Sequence, residues 1–211
     1  MIDALHDAPD FGIEPAAHLL GALSREYPRE AVFLAVVDPG VGGERDAIVI
    51  DADGQRFVGP DNGLLSLPWT RARRRRCWRI RWRPERLTSS FHGRDLFAPI
   101  AAALVTRRVP RGWLATKNRP DAILPDQDLA SIIYIDHYGN AVTGLRTARR
   151  SDHLRAARGV LAYARTFEEA EGPFWYENSM GLVEIAAPRA SVAKLLRLKI
   201  GSPVTWQRST R

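Results

Sequence analysis

The stretch VVDPGVGGER, at residues 36–45, decides how this chain is organised. The apolar run at residues 31–37 leads into it and has the length and the β-branched content of a buried strand. An acid, a proline and three glycines follow, and glycine lets a ligand approach the backbone closely. In an open α/β sheet, ligands bind at the carboxyl ends of the strands, which is where Asp38 falls. A tight turn in which Asp38 caps its own backbone explains the stretch equally well.

The segments on either side predict a mixture of helices and strands. Residues 13–27 repeat apolar positions with the helical period, and Pro28 ends that helix. Residues 47–51 and 55–58 are predicted strands joined by an Asp-Gly turn, residues 64–67 begin a short helix, and residues 96–106 form a longer one. Residues 2–6 are typical of the end of a strand. The pattern predicts an α/β domain.

The periodicity changes after residues 111–128, where prolines and a glycine indicate a linker. Short strands are then predicted at residues 131–136, 141–145, 159–164, 180–186 and 203–207, with one helical turn at residues 167–170. Short strands separated by turns are typical of a small barrel or sandwich. We therefore predict an α/β domain over residues 1–126 and an all-β domain over residues 127–211.

The composition narrows the class of protein. The 211 residues include 31 basic and 24 acidic ones, giving a net charge of +7, and one cysteine. No apolar run approaches the roughly 18 residues of a membrane span, and the acidic N-terminus lacks a signal-peptide pattern. A lone Cys77 excludes an internal disulfide and fits a reducing cytoplasm. The five histidines and Cys77 show no metal-ligand spacing, so we predict a cytoplasmic protein without a membrane partner or a metal.

Much of the positive charge lies in residues 71–86, which contain nine arginines with Trp78 and Trp82 among them. Apolar residues alternate with arginines, which predicts a half-buried strand with a basic outer face. One interpretation is a nucleic-acid-binding patch, and the other is an edge strand that its charge protects from aggregation. We favour the edge strand and predict no nucleic-acid partner, because no nucleic-acid-binding motif accompanies the run.

Five motifs in register resemble a known family. They are VVDPGVGGER, FVGPDNGLLS, FHGRDLFAPIAA, IDHYGNAVT and ENSMGLVEIA, at residues 36–45, 57–66, 91–102, 135–143 and 177–186. Together they resemble the adenosine-forming S-adenosyl-L-methionine hydrolases, or SAM hydroxide adenosyltransferases, which are relatives of the fluorinase and chlorinase enzymes. The resemblance covers nearly the whole chain.

The resemblance implies a fold, an assembly and a reaction. It implies an N-terminal domain with a Rossmann-like mixed sheet, a small antiparallel β-barrel C-terminal domain, and a homotrimer that binds its ligand between subunits. The reaction is SN2 attack of activated water at C5′ of S-adenosyl-L-methionine, giving adenosine and L-methionine; this molecule is the substrate, and no cofactor is expected. The water-activating triad falls on Asp38, Arg45 and His92. The halogenating relatives lack this triad, which favours water over halide. Taken alone, His92 is more often an ordinary loop histidine than a functional one.

The resemblance also assigns substrate contacts. Asp136 meets the methionine ammonium, Asn140 the purine edge and Ser179 the methionine carboxylate, while Phe11 stacks on adenine. Each assignment has a structural alternative. In these alternatives, residues 136–140 are only a hairpin turn, residues 178–179 are only a turn before a strand, and Phe11 is a core residue.

Three departures from the family pattern affect the expected substrate site. Met180 replaces a carboxylate-binding arginine of the halogenating relatives, and Val142 replaces a tryptophan that packs on their base. Residues 1–3 correspond to the second strand of the family pattern. On this correspondence, the first βα unit of the pattern and its ribose-binding acid are missing. We therefore expect reduced affinity or inactivity of this chain. The alternatives are a non-catalytic binder of adenosyl ligands and a halide-dependent adenosyl transferase.

Overall fold

A computed structural model describes residues 1–146 and 150–208 and divides the chain into two compact units. One unit comprises Asp10–Asp126, and the other comprises Met1–Pro9 with Gln127–Arg211. Residues 1–9, which we expected in the N-terminal domain, thus belong to the second unit, where the Tyr134 hydroxyl donates a hydrogen bond to Asp7 (2.8 Å). The strand end predicted at residues 2–6 is not formed.

The first unit contains five strands and three α-helices within its described residues. In chain order they are α1 (Ile13–Leu23), a 3₁₀ turn (Ser24–Glu26), β1 (Val32–Leu34), β2 (Ala47–Ala52), β3 (Gln55–Pro60), α2 (Ser66–Arg71), β4 (Arg75–Ile80), a π-helical turn (Gly93–Phe97), α3 (Ala98–Val105) and β5 (Leu114–Lys117).

These strands form one mixed sheet in the order β1-β3-β2-β4-β5, in which β1 and β3 are parallel and the other pairs antiparallel. Alternate residues of β2 face opposite sides, as strand geometry requires. Ile48 and Ile50 pack with α1 and α2, whereas Ala47 and Val49 pack with α3. Helices on both faces of a mixed sheet confirm the predicted α/β class.

The arginine-rich strand is not at an edge of the sheet. β4 lies between β2 and β5, and Cys77 and Ile80 on it are buried, so our edge-strand interpretation is wrong. The missing neighbour is β5, whose sequence LATK lies inside the segment that we interpreted as a linker. Four residues with two polar side chains, close to prolines, give too little periodicity to be recognised as a strand.

The second unit is mostly β. Its elements are β6 (Leu129–Ile135), β7 (Ala141–Gly144), β8 (His153–Ala156), β9 (Gly159–Leu161), β10 (Phe174–Glu177), β11 (Val183–Ala186), α4 (Val192–Leu196) and β12 (Val204–Gln207). Two antiparallel sheets result, a four-stranded one in the order β10-β11-β7-β6 and a three-stranded one in the order β12-β8-β9. Their shared core includes Ile132, Leu154, Trp175, Ile185 and Val204.

Antiparallel sheets confirm the all-β class of this region, but the predicted barrel is not closed. Single bridges, Ser131 with Pro203 and Tyr163 with Trp175, stand where continuous ladders would close it. The strands are short, and register shifts interrupt β6, so the ladders end early. Residues 167–169, within the predicted helical turn, form a hydrogen-bonded turn that is not part of a helix, and Phe167 packs edge-on against Phe174 with ring centroids 5.2 Å apart. None of the helices in the described residues is long and apolar enough to cross a membrane.

Candidate active site

Two loops meet where β1 and β3 end. The backbone N–H of Ala35 donates to the Val58 carbonyl (3.0 Å), and the Asn62 amide donates to the Val37 carbonyl (2.9 Å). Gly59 allows this approach, since a Cβ there would lie 2.4 Å from the Ala35 oxygen. The second motif, at residues 57–66, therefore braces the loop that carries Asp38.

Asp38 and Arg45 form a two-pronged ion pair across the glycine-rich loop. Arg45 Nε donates to Asp38 Oδ1 at 3.0 Å, and Arg45 Nη2 donates to Oδ2. Both side chains are largely withdrawn from water, with 13% of the arginine and 4% of the aspartate side chain exposed. A fork of this kind fixes orientation as well as charge. The carboxylate of Asp38 is thus held by Arg45, in contrast to the self-capping turn that the stretch alone allowed.

His92 completes the cluster, with its Nδ1 atom 3.1 Å from Arg45 Nη2. A guanidinium group only donates hydrogen bonds, so Nδ1 must accept and the ring proton of the neutral imidazole lies on Nε2. Burial, and next the positive charge of Arg45, lower the pKa of His92 below its usual 6.5, although the charge of Asp38 opposes this. His92 is therefore neutral at neutral pH and offers Nε2–H as a donor.

A π-helical turn directly after His92 shapes the third side of the cluster. The backbone N–H of Ala98 donates to the Gly93 carbonyl, five residues back. Residues five apart in an α-helix are separated by about 140° around the axis, whereas the wider π turn brings them closer to one side. The Phe97 ring accordingly lies under the Arg45 guanidinium, 5.4 Å from its Cζ to the ring centroid. Sequence analysis missed Phe97, because α and π turns share the same apolar pattern.

Gly42 holds the loops on either side of the cluster together. Its φ is +82°, and a Cβ there would lie 2.6 Å from the Ser89 carbonyl oxygen. An L side chain at this position is excluded both by the backbone conformation and by the space. The glycine that the sequence suggested as a ligand approach is used for contact between two loops of the protein.

In the second unit, Asp136 and Asn140 close a hairpin turn between β6 and β7. Asp136 Oδ1 accepts from the Asn140 backbone N–H (2.8 Å), and Oδ2 accepts from the Asn140 side-chain amide (3.0 Å). The Asp136 N–H donates to the Asn140 carbonyl (3.0 Å). Both donors to the carboxylate are neutral, and within residues 1–146 and 150–208 no cationic side chain forms an ion pair with Asp136. The turn therefore leaves the negative charge uncompensated.

The remaining two predicted contacts are exposed. Ser179 lies in the turn between β10 and β11. Phe11, in the first unit, is 80% exposed and has a φ of +58°, so the alternative that placed Phe11 in the core is wrong. A positive φ is unusual for a bulky residue. In this backbone conformation the Phe11 ring lies in solvent.

A cluster of three carboxylates in the first unit is occupied by a lysine. Oxygens of Asp46, Asp61 and Asp121 lie within 4.8 Å of one another, and Lys117 Nζ contacts them at 2.8, 3.3 and 2.6 Å respectively. Asp61 also accepts the backbone N–H of Asp121 through both oxygens (3.0 Å each). The cluster joins β5 to the loop at residues 59–63, and Lys117, together with Arg79 on Asp46 (2.7 Å), offsets part of its negative charge.

Comparisons with known proteins identify the family. The chain matches the family model of the SAM hydroxide adenosyltransferase N-terminal domain over residues 1–112 and that of the C-terminal domain over residues 130–205. It is 36% identical to an (R)-S-adenosyl-L-methionine hydrolase of Thermus thermophilus, over 97% of this chain and 86% of the relative. It is 34% identical to a protein of the same name from Salinispora arenicola, over 95% and 84%.

A solved structure is also similar. An uncharacterized conserved protein from Thermotoga maritima superposes with a TM-score of 0.85 at 27% identity, covering 98% of this chain and 88% of that one. Sequence and fold therefore confirm the resemblance that the five motifs predicted, and the chain belongs to the SAM hydroxide adenosyltransferase family.

Proposed function

We propose that this chain hydrolyses S-adenosyl-L-methionine to adenosine and L-methionine. The observation that carries the proposal is the buried cluster of Asp38, Arg45 and His92, in a family whose relatives include (R)-S-adenosyl-L-methionine hydrolases. These are the three residues to which the five motifs assigned water activation.

The chemistry is a displacement at a carbon that carries a good leaving group. The water oxygen forms a bond to C5′ while the C5′–sulfur bond breaks, and sulfur keeps the electron pair as the neutral thioether of methionine. The water loses one proton and becomes the 5′-hydroxyl of adenosine. Water is a weak nucleophile, so a group that receives or shares its proton lowers the barrier. Holding oxygen about 3–3.5 Å from C5′ lowers it further.

The three residues divide this work. Arg45 holds Asp38 and His92 in place through its hydrogen bonds to both. His92 donates from Nε2–H to the water oxygen and orients its lone pair toward C5′, which also favours hydroxide character. Asp38 carries the negative charge that attracts the departing proton through a lone pair not used by Arg45. A dry surrounding strengthens these effects.

Substrate binding falls to the four further residues. Asp136, with its uncompensated charge, receives the methionine ammonium, and Asn140 bonds the purine edge. Ser179 contacts the methionine carboxylate, and the exposed ring of Phe11 stacks on adenine. The proposed reaction uses no cofactor and no metal ion.

We further propose that the chain functions as a cytoplasmic homotrimer with sites between subunits. The family membership supports the assembly, and the lone, buried Cys77 supports the compartment. Sedimentation analysis tests the assembly, because a trimer has three times the chain mass of 23.6 kDa. A species with the mass of one chain at assay concentration would refute it.

A product assay tests the reaction. The purified chain is incubated with S-adenosyl-L-methionine, with and without chloride, and the nucleosides are separated by chromatography. We expect adenosine in equal amounts with or without chloride, and its loss in His92→Ala. His153→Ala is the matched control, because His153 is an exposed histidine of β8 and should leave the rate unchanged. A chlorinated nucleoside would indicate a halide transferase, and binding without turnover would indicate a non-catalytic binder.

A further inference from the structure

The four-stranded sheet of the second unit has one face that carries polar side chains. Tyr176 of β10 is paired with Glu184 of β11, Glu184 with Val142 of β7, and Val142 with Tyr134 of β6. Paired residues of neighbouring strands point to the same face. The adjacent residues Trp175 and Ile185 belong to the apolar core, on the opposite face. Glu184 thus lies in a row on the face opposite that core, where Phe174 and Ala186 form a second, smaller apolar cluster with Tyr176.

Glu184 is an almost fully buried acid, 7% exposed, and the proposed chemistry does not use it. The Tyr176 hydroxyl donates to its Oε1 (2.6 Å), and the Asn178 side-chain amide donates to its Oε2 (2.8 Å). Burial, and next the hydrogen bond to Glu184, raise the pKa of Tyr176, and the charge of Asp136 adds to this effect. No Lys or Arg of the described residues forms an ion pair with Glu184. Burying a carboxylate that accepts hydrogen bonds only from neutral donors costs free energy. The position of Glu184 therefore indicates a role beyond packing.

Asn178 connects this carboxylate to the turn at residues 178–182. Its Oδ1 atom accepts the backbone N–H groups of Met180 (3.0 Å) and Leu182 (3.1 Å). The Asn178 N–H donates to the Leu182 carbonyl (2.9 Å), and Gly181 has a φ of +71°. The orientation of the amide is therefore determined at both ends: NH₂ toward Glu184, and oxygen toward the turn.

We propose that Glu184 is a positioning residue of the substrate site. Through Asn178 it holds the turn that presents Ser179, so Glu184 sets the preference for a substrate that bears an α-carboxylate. The inference rests on the proposed function, which assigns Ser179 to that carboxylate. Methionine has nearly the length and volume of glutamate but offers no comparable acceptor, whereas a glutamine could still accept from Asn178 and donate to the Tyr176 hydroxyl, which also accepts. Glu184→Met therefore removes both hydrogen bonds without opening a large cavity.

The test compares binding of two ligands, so that it does not depend on turnover. Dissociation constants are measured in the His92→Ala background for S-adenosyl-L-methionine and for its decarboxylated analogue, which lacks only the α-carboxylate. We expect Glu184→Met to weaken binding of S-adenosyl-L-methionine about tenfold, in the range of one lost hydrogen bond, and to change binding of the analogue less than about twofold. Asn178→Ala should give the same selective loss, and it decides the test if Glu184→Met does not fold.

Thr143→Val is the matched control. The buried Thr143 hydroxyl donates to the Val183 carbonyl (2.7 Å) in the same sheet, so its loss also destabilises the sheet but leaves the turn intact. It should weaken both ligands equally or neither. Equal loss for both ligands in Glu184→Met, or no loss, overturns the inference, as does a His92→Ala protein that binds neither ligand before the second substitution is made. If the His92→Ala protein binds S-adenosyl-L-methionine but the unsubstituted chain makes no adenosine, only the proposed reaction is refuted.

Discussion

Two arrangements of carboxylates, one in each unit, treat charge in opposite ways. In the first unit, the carboxylate of Asp38 is neutralised by the guanidinium of Arg45, and a neutral His92 completes the group. In the second unit, Asp136 and Glu184 accept hydrogen bonds from amide, hydroxyl and backbone donors, none of which is charged.

The difference corresponds to two tasks of the proposed reaction. A compensated cluster can be held rigidly, which suits the orientation of a neutral water molecule that gives up a proton. An uncompensated carboxylate attracts a cation, and S-adenosyl-L-methionine carries two, an ammonium and a sulfonium. The contrast predicts that changes in the first unit act on the chemical step and changes in the second act on binding.

The largest effect is expected from Asp38→Asn. It removes the negative charge that draws off the proton and leaves Arg45 with an unpaired charge in a poorly solvated position. We expect kcat to fall by about 10²- to 10⁴-fold, the usual contribution of proton transfer, with little change in KM. Asp51→Asn is the control, since the Asp51–Arg56 pair is more exposed and should be silent. A large rise in KM at constant kcat would contradict the division of tasks.

The next effect is expected from Asp136→Asn. The substitution keeps an acceptor for the Asn140 backbone, so the turn persists, but it removes the charge that receives the ammonium. A lost charge-assisted hydrogen bond should raise KM about 10- to 100-fold and leave kcat within about threefold. Initial rates over a range of substrate concentrations separate the two. Glu168→Gln makes the same change in charge at an exposed position of the second unit and should alter neither constant.

The third effect concerns the pH dependence of activity. Because burial and Arg45 hold the pKa of His92 below 6.5, activity should be constant above that pH and fall as His92 becomes protonated at lower pH. Arg45→Gln removes the cation, so the pKa of His92 should rise and protonation should begin at higher pH. An NMR titration of the imidazole measures this whether or not the variant is active. A pKa that fell, or did not move, would show that Arg45 does not set the charge state of His92.

The smallest effect is expected from Phe97→Leu, which keeps an apolar side chain but removes the ring beneath Arg45. Cation–π contacts of this kind contribute about 0.5–2 kcal/mol, so kcat should fall several-fold at unchanged KM. Phe57→Leu is the matched control, because Phe57 is equally buried and stacks on Phe33. If both variants lose activity in proportion to their loss of thermal stability, Phe97 has only a structural role.

Much of the fold could be predicted because local signals were strong. Helix α1 was recognised by its period and by Pro28, and the β2–β3 hairpin by its Asp-Gly turn. The strands that were missed were short or mixed in composition, as β5 and β8 are. The position of β4 inside the sheet could not be predicted, since it depends on whether a weak neighbour such as β5 pairs with it.

The candidate site shows the same limit. Asp38 and Arg45 belong to one motif, and the position of Asp38 at a strand end indicated a site directly. His92 lies 47 residues beyond Arg45 in the chain, and only the resemblance connected the two. Glu184 was overlooked because a single acid in the run LVEIA is typical of an ordinary strand, and its burial depends on partners in β10.

The π-helical turn has a consequence for how this family can diverge. A π turn holds one residue more than the α turn it replaces, so deletion of one residue between Gly93 and Phe97 would restore a regular α-helix that runs into α3. Such a deletion, if it removes Leu96, changes no charged side chain of the cluster and leaves His92 and Phe97 four residues apart, a spacing that an α-helix also places on one side. A change of one residue in the length of this turn can therefore be absorbed with little rotation of His92 relative to α3, whereas the same change within a regular α-helix would rotate the two by about 100°.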